Sequence, residues 1–196
     1  MTFRLSILLT LIFCLIQAGL TADPTPPVST GAPASTHAAT GLTFPAEIAG
    51  MKFEVETNDE AKTPGLGIRY SYRAESIKAD IYLYTGGHST ILAGPKSAVI
   101  QQYFDQAVGD VETMGQLGHF KNVSVKTRDQ VTYGVPFLRA ILHYTQETPR
   151  ISHLYLTGYK NHVLKVRLTH LESESANVDS QINAFWEFLG SALKAK

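Results

Sequence analysis

The side chains best suited to chemistry in this chain of 196 residues alternate with apolar residues along several short segments. In an extended segment, every second side chain points to the same face. Arginine, histidine and tyrosine at such positions suit the recognition of an anionic or carboxylated group. We predict that eight residues form one candidate binding face: Arg69, Asp80, Tyr82, Arg139, His143, His153, Tyr155 and Arg167.

Short loops between the last strands are expected to bring part of this face together. Pairing that is symmetric about residues 148 and 160 aligns His143, His153 and Arg167 across three neighbouring strands. The opposite face is then apolar and can receive the helices. It comprises Leu138, Ala140, Leu142, Tyr144, Leu154, Leu156, Leu164, Val166 and Leu168. The alternative interpretation of the polar face is that it is solvated, or partly covered by a loop, and has no further role.

The sequence indicates binding rather than catalysis. It has no nucleophile elbow, zinc-protease helix, phosphate loop, dinucleotide turn or calcium loop. Within the domain, the histidines do not recur at the spacing of metal ligands, and Cys14 is the only cysteine. We therefore predict no catalytic residue, no metal and no cofactor. An alternative is a hydrolase or transferase whose site is assembled from scattered residues such as His143, His153 and Asp80.

The N-terminus predicts export. Arg4 precedes an apolar run from Leu5 to Leu20, and small or tolerated residues lead to a cleavage point after Ala22. We predict a signal peptide over residues 1–22 and a periplasmic or secreted protein that meets a membrane only before cleavage. An uncleaved anchor, or a lipoprotein formed on Cys14, is the alternative.

Residues 23–42 are rich in proline, threonine, serine and alanine, which predicts a flexible linker. Residues 43–196 remain for one domain. The whole chain has 17 Lys and Arg against 17 Asp and Glu, so no broad basic field exists to hold a nucleic acid. We predict that nucleic acid is not a partner.

The periodicity of apolar residues predicts the order β-β-β-α-β-β-β-β-α. The strands fall at residues 51–57, 68–73, 78–85, 122–128, 137–145, 151–157 and 162–170. One helix follows Gly94 and Pro95, and a second runs from Val178 to Leu193. Short loops favour antiparallel pairing. The prediction is an α+β domain with a sheet of six to seven strands and two main helices, which lie on one face or one on each face.

This order of elements resembles that of the Mog1/PsbP-like sandwich, a fold of several secreted or lumenal accessory proteins. The resemblance covers residues 51–193 and includes no diagnostic motif, so it implies a fold and no residue roles. The sequence thus favours an exported, non-enzymatic accessory or binding protein. Its expected partner is a small anionic ligand or an envelope protein. An envelope assembly factor that docks through its sheet is a further alternative.

Overall fold

The computed structural model describes residues 35–194. The predicted signal peptide, its cleavage point and the linker up to residue 34 lie outside the described residues. Within residues 35–194, neither helix is long and apolar enough to cross a membrane.

The described chain is an α+β structure built on an antiparallel sheet, which confirms the predicted fold class. Its strands are β1 (Ser35–His37), β2 (Leu42–Phe44), β3 (Glu47–Ile48), β4 (Met51–Asn58), β5 (Ile68–Arg73), β6 (Ile77–Tyr84), β7 (Lys121–Tyr133), β8 (Val135–Thr145), β9 (Pro149–Tyr159) and β10 (His162–Leu171). Helix α1 is Ala98–Gln116 and helix α2 is Ser175–Lys194.

The main sheet has the strand order β3-β4-β5-β6-β10-β9-β8-β7 and contains eight strands, one more than the upper prediction. The extra strand is β3, whose two residues pair with the start of β4. Strands β1 and β2 form a separate two-stranded sheet. These additions are two or three residues long, which is too short to show a period of two in the sequence.

Residues 35–42 of the predicted linker belong to the folded part of the chain. Strand β1 pairs with β2, and His37 is buried between them and the core. Phe44 stacks on Tyr70 with ring centroids 3.9 Å apart. The proline-rich composition concealed this pairing because a three-residue strand needs few apolar side chains of its own.

One helix lies on each face of the main sheet. Helix α2 packs its Trp186 against Phe137 and Tyr155, which share a face with Leu164, Val166 and Leu168. We call this the α2 face. Helix α1 packs mainly against β7 and β9 on the opposite face, which we call the α1 face. The apolar surface there comprises Leu138, Ala140, Leu142, Tyr144, Leu154 and Leu156.

The predicted alignment of His143, His153 and Arg167 is wrong. His153 lies opposite Ile141 in β8 and Leu168 in β10, whereas Arg167 lies opposite Leu154. The β9–β10 loop is a two-residue turn, in which Lys160 and Asn161 have φ of 45° and 62°. Its centre falls between residues 160 and 161 rather than on residue 160. This half-residue shift places each β10 side chain on the other face, because side chains alternate along a strand.

Candidate binding site

The eight predicted residues divide equally between the two faces of the sheet. Arg69, Asp80, Tyr82 and Arg167 lie on the α1 face, and Arg139, His143, His153 and Tyr155 lie on the α2 face. The expectation of one continuous face is therefore wrong. The binding role of these residues stays a prediction, and the two groups must be considered separately.

On the α1 face, the polar side chains form rows across strands β5, β6 and β10. Arg69 lies opposite Tyr82, and Tyr82 lies opposite Lys165. Asp80 and Arg167 are paired in the next row. We call these five residues the cationic half-face. It lies on the part of the sheet beside helix α1, which packs mainly on β7 and β9.

The carboxylate of the cationic half-face already has partners. Asp80 is 6% exposed and accepts a hydrogen bond of 2.6 Å from the Ser71 hydroxyl. The Lys78 ammonium lies 3.0 Å from its second oxygen. Asp80 thus compensates Lys78 in addition to facing Arg167. Little of its negative charge remains for the other cations.

The two arginines of the half-face are positioned by hydroxyl groups. Arg167 Nε donates to Ser152 Oγ over 2.8 Å. Arg69 donates to Thr57 Oγ1 over 3.1 Å and is also hydrogen-bonded to Tyr82. Hydroxyl acceptors orient a guanidinium group without neutralising its charge. An incoming anion could therefore gain charge-assisted hydrogen bonds from both groups.

Lys165 lies between tyrosine rings in the same half-face. Its Nζ is 4.2 Å from the centroid of Tyr82 and 5.6 Å from that of Tyr84. Burial, and after it the positive charge of Arg167, lowers the pKa of Lys165 to about 8. Burial likewise raises the pKa of Tyr82 to about 12. Both side chains are half-buried, and electrostatic interactions are stronger in such a place than in open water.

Helix α1 contributes one carboxylate to the edge of this region. Burial raises the pKa of Asp110, and the nearby charges of Lys165 and Arg167 oppose that rise. On the same helix, Tyr103 packs edge-on against Tyr84, with ring centroids 5.3 Å apart. The half-face is therefore bordered by an acidic group and an aromatic group of α1. Sequence reasoning did not select Lys165 or Tyr84, although they alternate in phase with Arg167 and Tyr82, and it gave no signal for Asp110.

On the α2 face, two histidines form a hydrogen-bonded pair. Their Nε2 atoms, of His153 and His170, are 3.2 Å apart. His170 Nδ1 lies 2.8 Å from the carbonyl oxygen of Leu171 and must donate to it, because a carbonyl only accepts. If the His170 ring carries a single proton, its Nε2 accepts the hydrogen bond from His153 Nε2. Burial lowers the pKa of His153 to about 4, and the neighbouring His170 contributes.

The remaining predicted residues of the α2 face are engaged by neighbouring side chains. Arg139 Nε donates to Asp129 over 2.9 Å, and His143 Nδ1 donates to Glu172 over 3.2 Å. Tyr155 is buried in the core beside Trp186. The charge of Arg139 is therefore compensated within the chain by Asp129.

The register also bears on the enzyme alternative. Asp80 lies on the α1 face, whereas His143 and His153 lie on the α2 face, so the sheet separates these three residues. They do not form one site. Over residues 35–194, no group of three histidine, cysteine, aspartate or glutamate side chains is placed to hold a metal ion.

These features define an α+β protein with a cationic region on one sheet face. No family model matches the chain, and no curated protein matches it. Among solved structures, it is similar to the solution structure of cyanobacterial PsbP from Synechocystis sp. PCC 6803. The match has 10% sequence identity, covers 87% of this chain and 96% of that one, and gives a TM-score of 0.48. A likeness at this level carries no argument about activity, partners or location.

Proposed function

We propose that this protein is an exported, non-enzymatic binding protein that takes a small anionic ligand on the cationic half-face. The observation that carries the proposal is a surplus of positive charge in a partly buried region. Lys78, Lys165, Arg69 and Arg167 supply four cations, against the two carboxylates of Asp80 and Asp110. A surplus of positive charge in a partly buried region lowers the stability of the fold, and a bound anion would offset that loss.

Binding fits the half-face better than catalysis does. Its polar groups are two guanidiniums, an amine, a carboxylate held by Ser71 and Lys78, and a tyrosine whose pKa is raised. The Ser71 hydroxyl donates to the Asp80 carboxylate, but that carboxylate is also held by the Lys78 ammonium in a salt bridge, which does not suit it to take the proton of a nucleophile. The location of the protein follows from the predicted signal peptide and belongs to the proposal.

Docking of an envelope protein through a sheet edge is supported less well. Strand β7 ends the main sheet and offers an edge of 13 residues. However, its pairing with β8 is interrupted by register shifts after Lys121 and after Val125. Lys126 and Arg128 also lie along the strand. Bulges and charges of this kind are the devices by which proteins protect an edge from pairing.

The proposed function can be tested by titrating labelled protein with succinate and with sulfate while recording backbone and arginine side-chain NMR spectra. Succinate tests the recognition of a dicarboxylate, and sulfate that of an inorganic dianion. We expect shifts centred on Arg69 and Arg167. Replacing both residues by glutamine should weaken binding at least about tenfold, since each loses charge-assisted hydrogen bonds.

The matched control is Arg139→Gln, which removes one cation from the opposite face of the same sheet. This variant should bind both anions as the wild type does. Equal affinity in the double variant and the wild type, or shifts centred on Arg139, would contradict the proposed site. Absence of binding by both anions would contradict the proposed function.

A further inference from the structure

The amine of Lys165 is the cation of the half-face with the fewest compensating contacts. It contacts two tyrosine rings, and no carboxylate lies within ion-pair distance of it among the described residues. By comparison, Lys78 has Asp80, and Arg167 has the hydroxyl of Ser152. A ring face attracts a cation, but it carries no formal negative charge that would compensate the ammonium.

The groups around Lys165 come from each element packed beside its strand. Arg167 follows on β10 itself, and Arg69 approaches from β5. Strand β6 contributes Asp80 together with Tyr82 and Tyr84, and helix α1 contributes Asp110. On β9, the residue opposite Lys165 is Leu156, which is apolar. The two arginines disfavour a charge on the amine and the two carboxylates favour it.

We propose that binding of a dianion on the cationic half-face is coupled, at alkaline pH, to the uptake of up to one proton by the Lys165 amine. This inference rests on the proposed function and adds its regulation. The step is a simple protonation: the neutral amine takes a proton from solvent and becomes an ammonium, and no other bond changes. The anion supplies the negative charge that the site lacks, so the ammonium form becomes favoured when the ligand is present.

The coupling has a consequence for affinity. The pKa of Lys165 is lowered to about 8 in the free protein, so its amine is mostly charged at about pH 7 and mostly neutral at about pH 9. If the bound anion restores an ordinary lysine pKa, affinity should fall about tenfold between those two values. The Tyr82 hydroxyl, whose pKa is raised to about 12, stays neutral throughout this interval.

The test uses sulfate, which keeps both charges over this range and so does not titrate itself. Its affinity is measured by NMR at about pH 7 and about pH 9. In parallel, the Cε resonance of Lys165 is titrated in lysine-labelled protein with sulfate, and with sodium chloride at equal ionic strength. We expect sulfate to raise the titration midpoint by at least about one pH unit relative to chloride.

Two variants separate charge from proton uptake. Lys165→Arg keeps a positive charge at every pH used, so it should bind sulfate with the same affinity at both pH values. Lys165→Met removes the charge and should bind weakly at both. Circular dichroism spectra establish that each variant is folded, and Lys194→Met, on an exposed helix end, controls for the loss of a lysine.

The outcomes separate the two proposals. If sulfate binds with the same affinity at both pH values and leaves the titration midpoint of Lys165 unchanged, the coupling is overturned and the proposed function stands. If Lys165→Arg shows the same loss of affinity with pH as the wild type, another group takes up the proton and the inference is again overturned. If neither sulfate nor succinate binds at either pH, the proposed function itself fails.

Discussion

Asp80 controls the charge of the cationic half-face. Its carboxylate is buried and accepts a hydrogen bond from the Ser71 hydroxyl. The Lys78 ammonium forms a salt bridge with it, and Arg167 is its cross-strand neighbour. A buried carboxylate with such partners stabilises the fold only while both stay in place. The same carboxylate also reduces the positive potential that an anionic ligand would meet. Stability and affinity therefore depend on this residue in opposite directions.

We predict that Asp80→Asn lowers the free energy of unfolding by about 1 to 3 kcal/mol and tightens sulfate binding. The amide fills the same space but leaves Lys78, which is 28% exposed, without its counter-charge. Denaturant unfolding followed by circular dichroism measures the first effect and NMR titration the second. Asp129→Asn is the control, because its ion pair with Arg139 is more exposed and worth about 1 kcal/mol or less. Equal losses of unfolding free energy in the two variants would contradict the prediction that burial makes the contacts of Asp80 more stabilising than those of Asp129.

At the scale of elements, helix α2 is attached to the sheet by aromatic rings. Trp186 is 3% exposed and stacks on Tyr133 with centroids 4.4 Å apart. It also contacts Phe137, Tyr155 and Phe185 edge-on. A buried ring of this size contributes a large apolar area, and the ring pairs add to it. This cluster joins the helix to strands β7, β8 and β9 together.

We predict that Trp186→Ala lowers the free energy of unfolding by about 3 to 5 kcal/mol, because it leaves a cavity among three strands. Thermal or urea unfolding is monitored by far-ultraviolet circular dichroism, because the variant lacks the sole tryptophan of the chain and therefore its fluorescence signal. Phe188→Ala, on the same helix but only partly buried, should cost less. A smaller loss for Trp186 than for Phe188 would mean that the ring cluster does not hold the helix.

The sequence predicted the long elements because their apolar residues repeat. Along the first helix Ile100, Phe104 and Val111 recur on one buried stripe, so that pattern reports burial directly. In strand β4 the alternation holds for Met51 and Phe53, but Val55 is 45% exposed after a register shift that the sequence did not indicate. No comparable pattern indicated where the centre of the β9–β10 turn lies. A two-residue turn with two positive φ values usually contains glycine or an Asn-Gly pair, whereas this one is Lys160-Asn161.

The candidate site was predicted in part for the same reason. Residue types selected Arg69, Tyr82 and Arg167 for one face, and the pairing of β6 with β10, which the sequence did not predict, makes them neighbours there. The histidines were joined to them only through the misplaced turn. Helix α1 contributes Asp110 by tertiary packing, and the helical pattern alone could not show which part of the sheet it would cover.

For the molecule as a whole, two histidine pairs join elements that are distant in the sequence, and one member of each pair, His37 and His170, is buried. His37 packs edge-on against His162, with ring centroids 5.1 Å apart, and joins the β1–β2 hairpin to the main domain. His153 shares a hydrogen bond with His170 beneath the start of helix α2. Burial is the main reason that the pKa of His37 and that of His153 are each lowered to about 4, and each pair partner adds repulsion. His37 and His153 therefore favour the fold in their neutral forms.

The last prediction is that acid destabilises the protein through these two histidines. In the unfolded chain each titrates near its ordinary pKa of 6.5, whereas in the fold it resists protonation down to about 4. Their stabilising effect is complete above pH 6.5 and is lost as the pH falls toward 4. Each histidine accounts for up to about 3 kcal/mol. Urea unfolding at a series of pH values measures the slope, which the double variant His37→Gln with His153→Gln should flatten between those limits. His119→Gln, on an exposed loop, controls for the substitution itself. A double variant that keeps the slope of the wild type would assign the acid sensitivity to other groups.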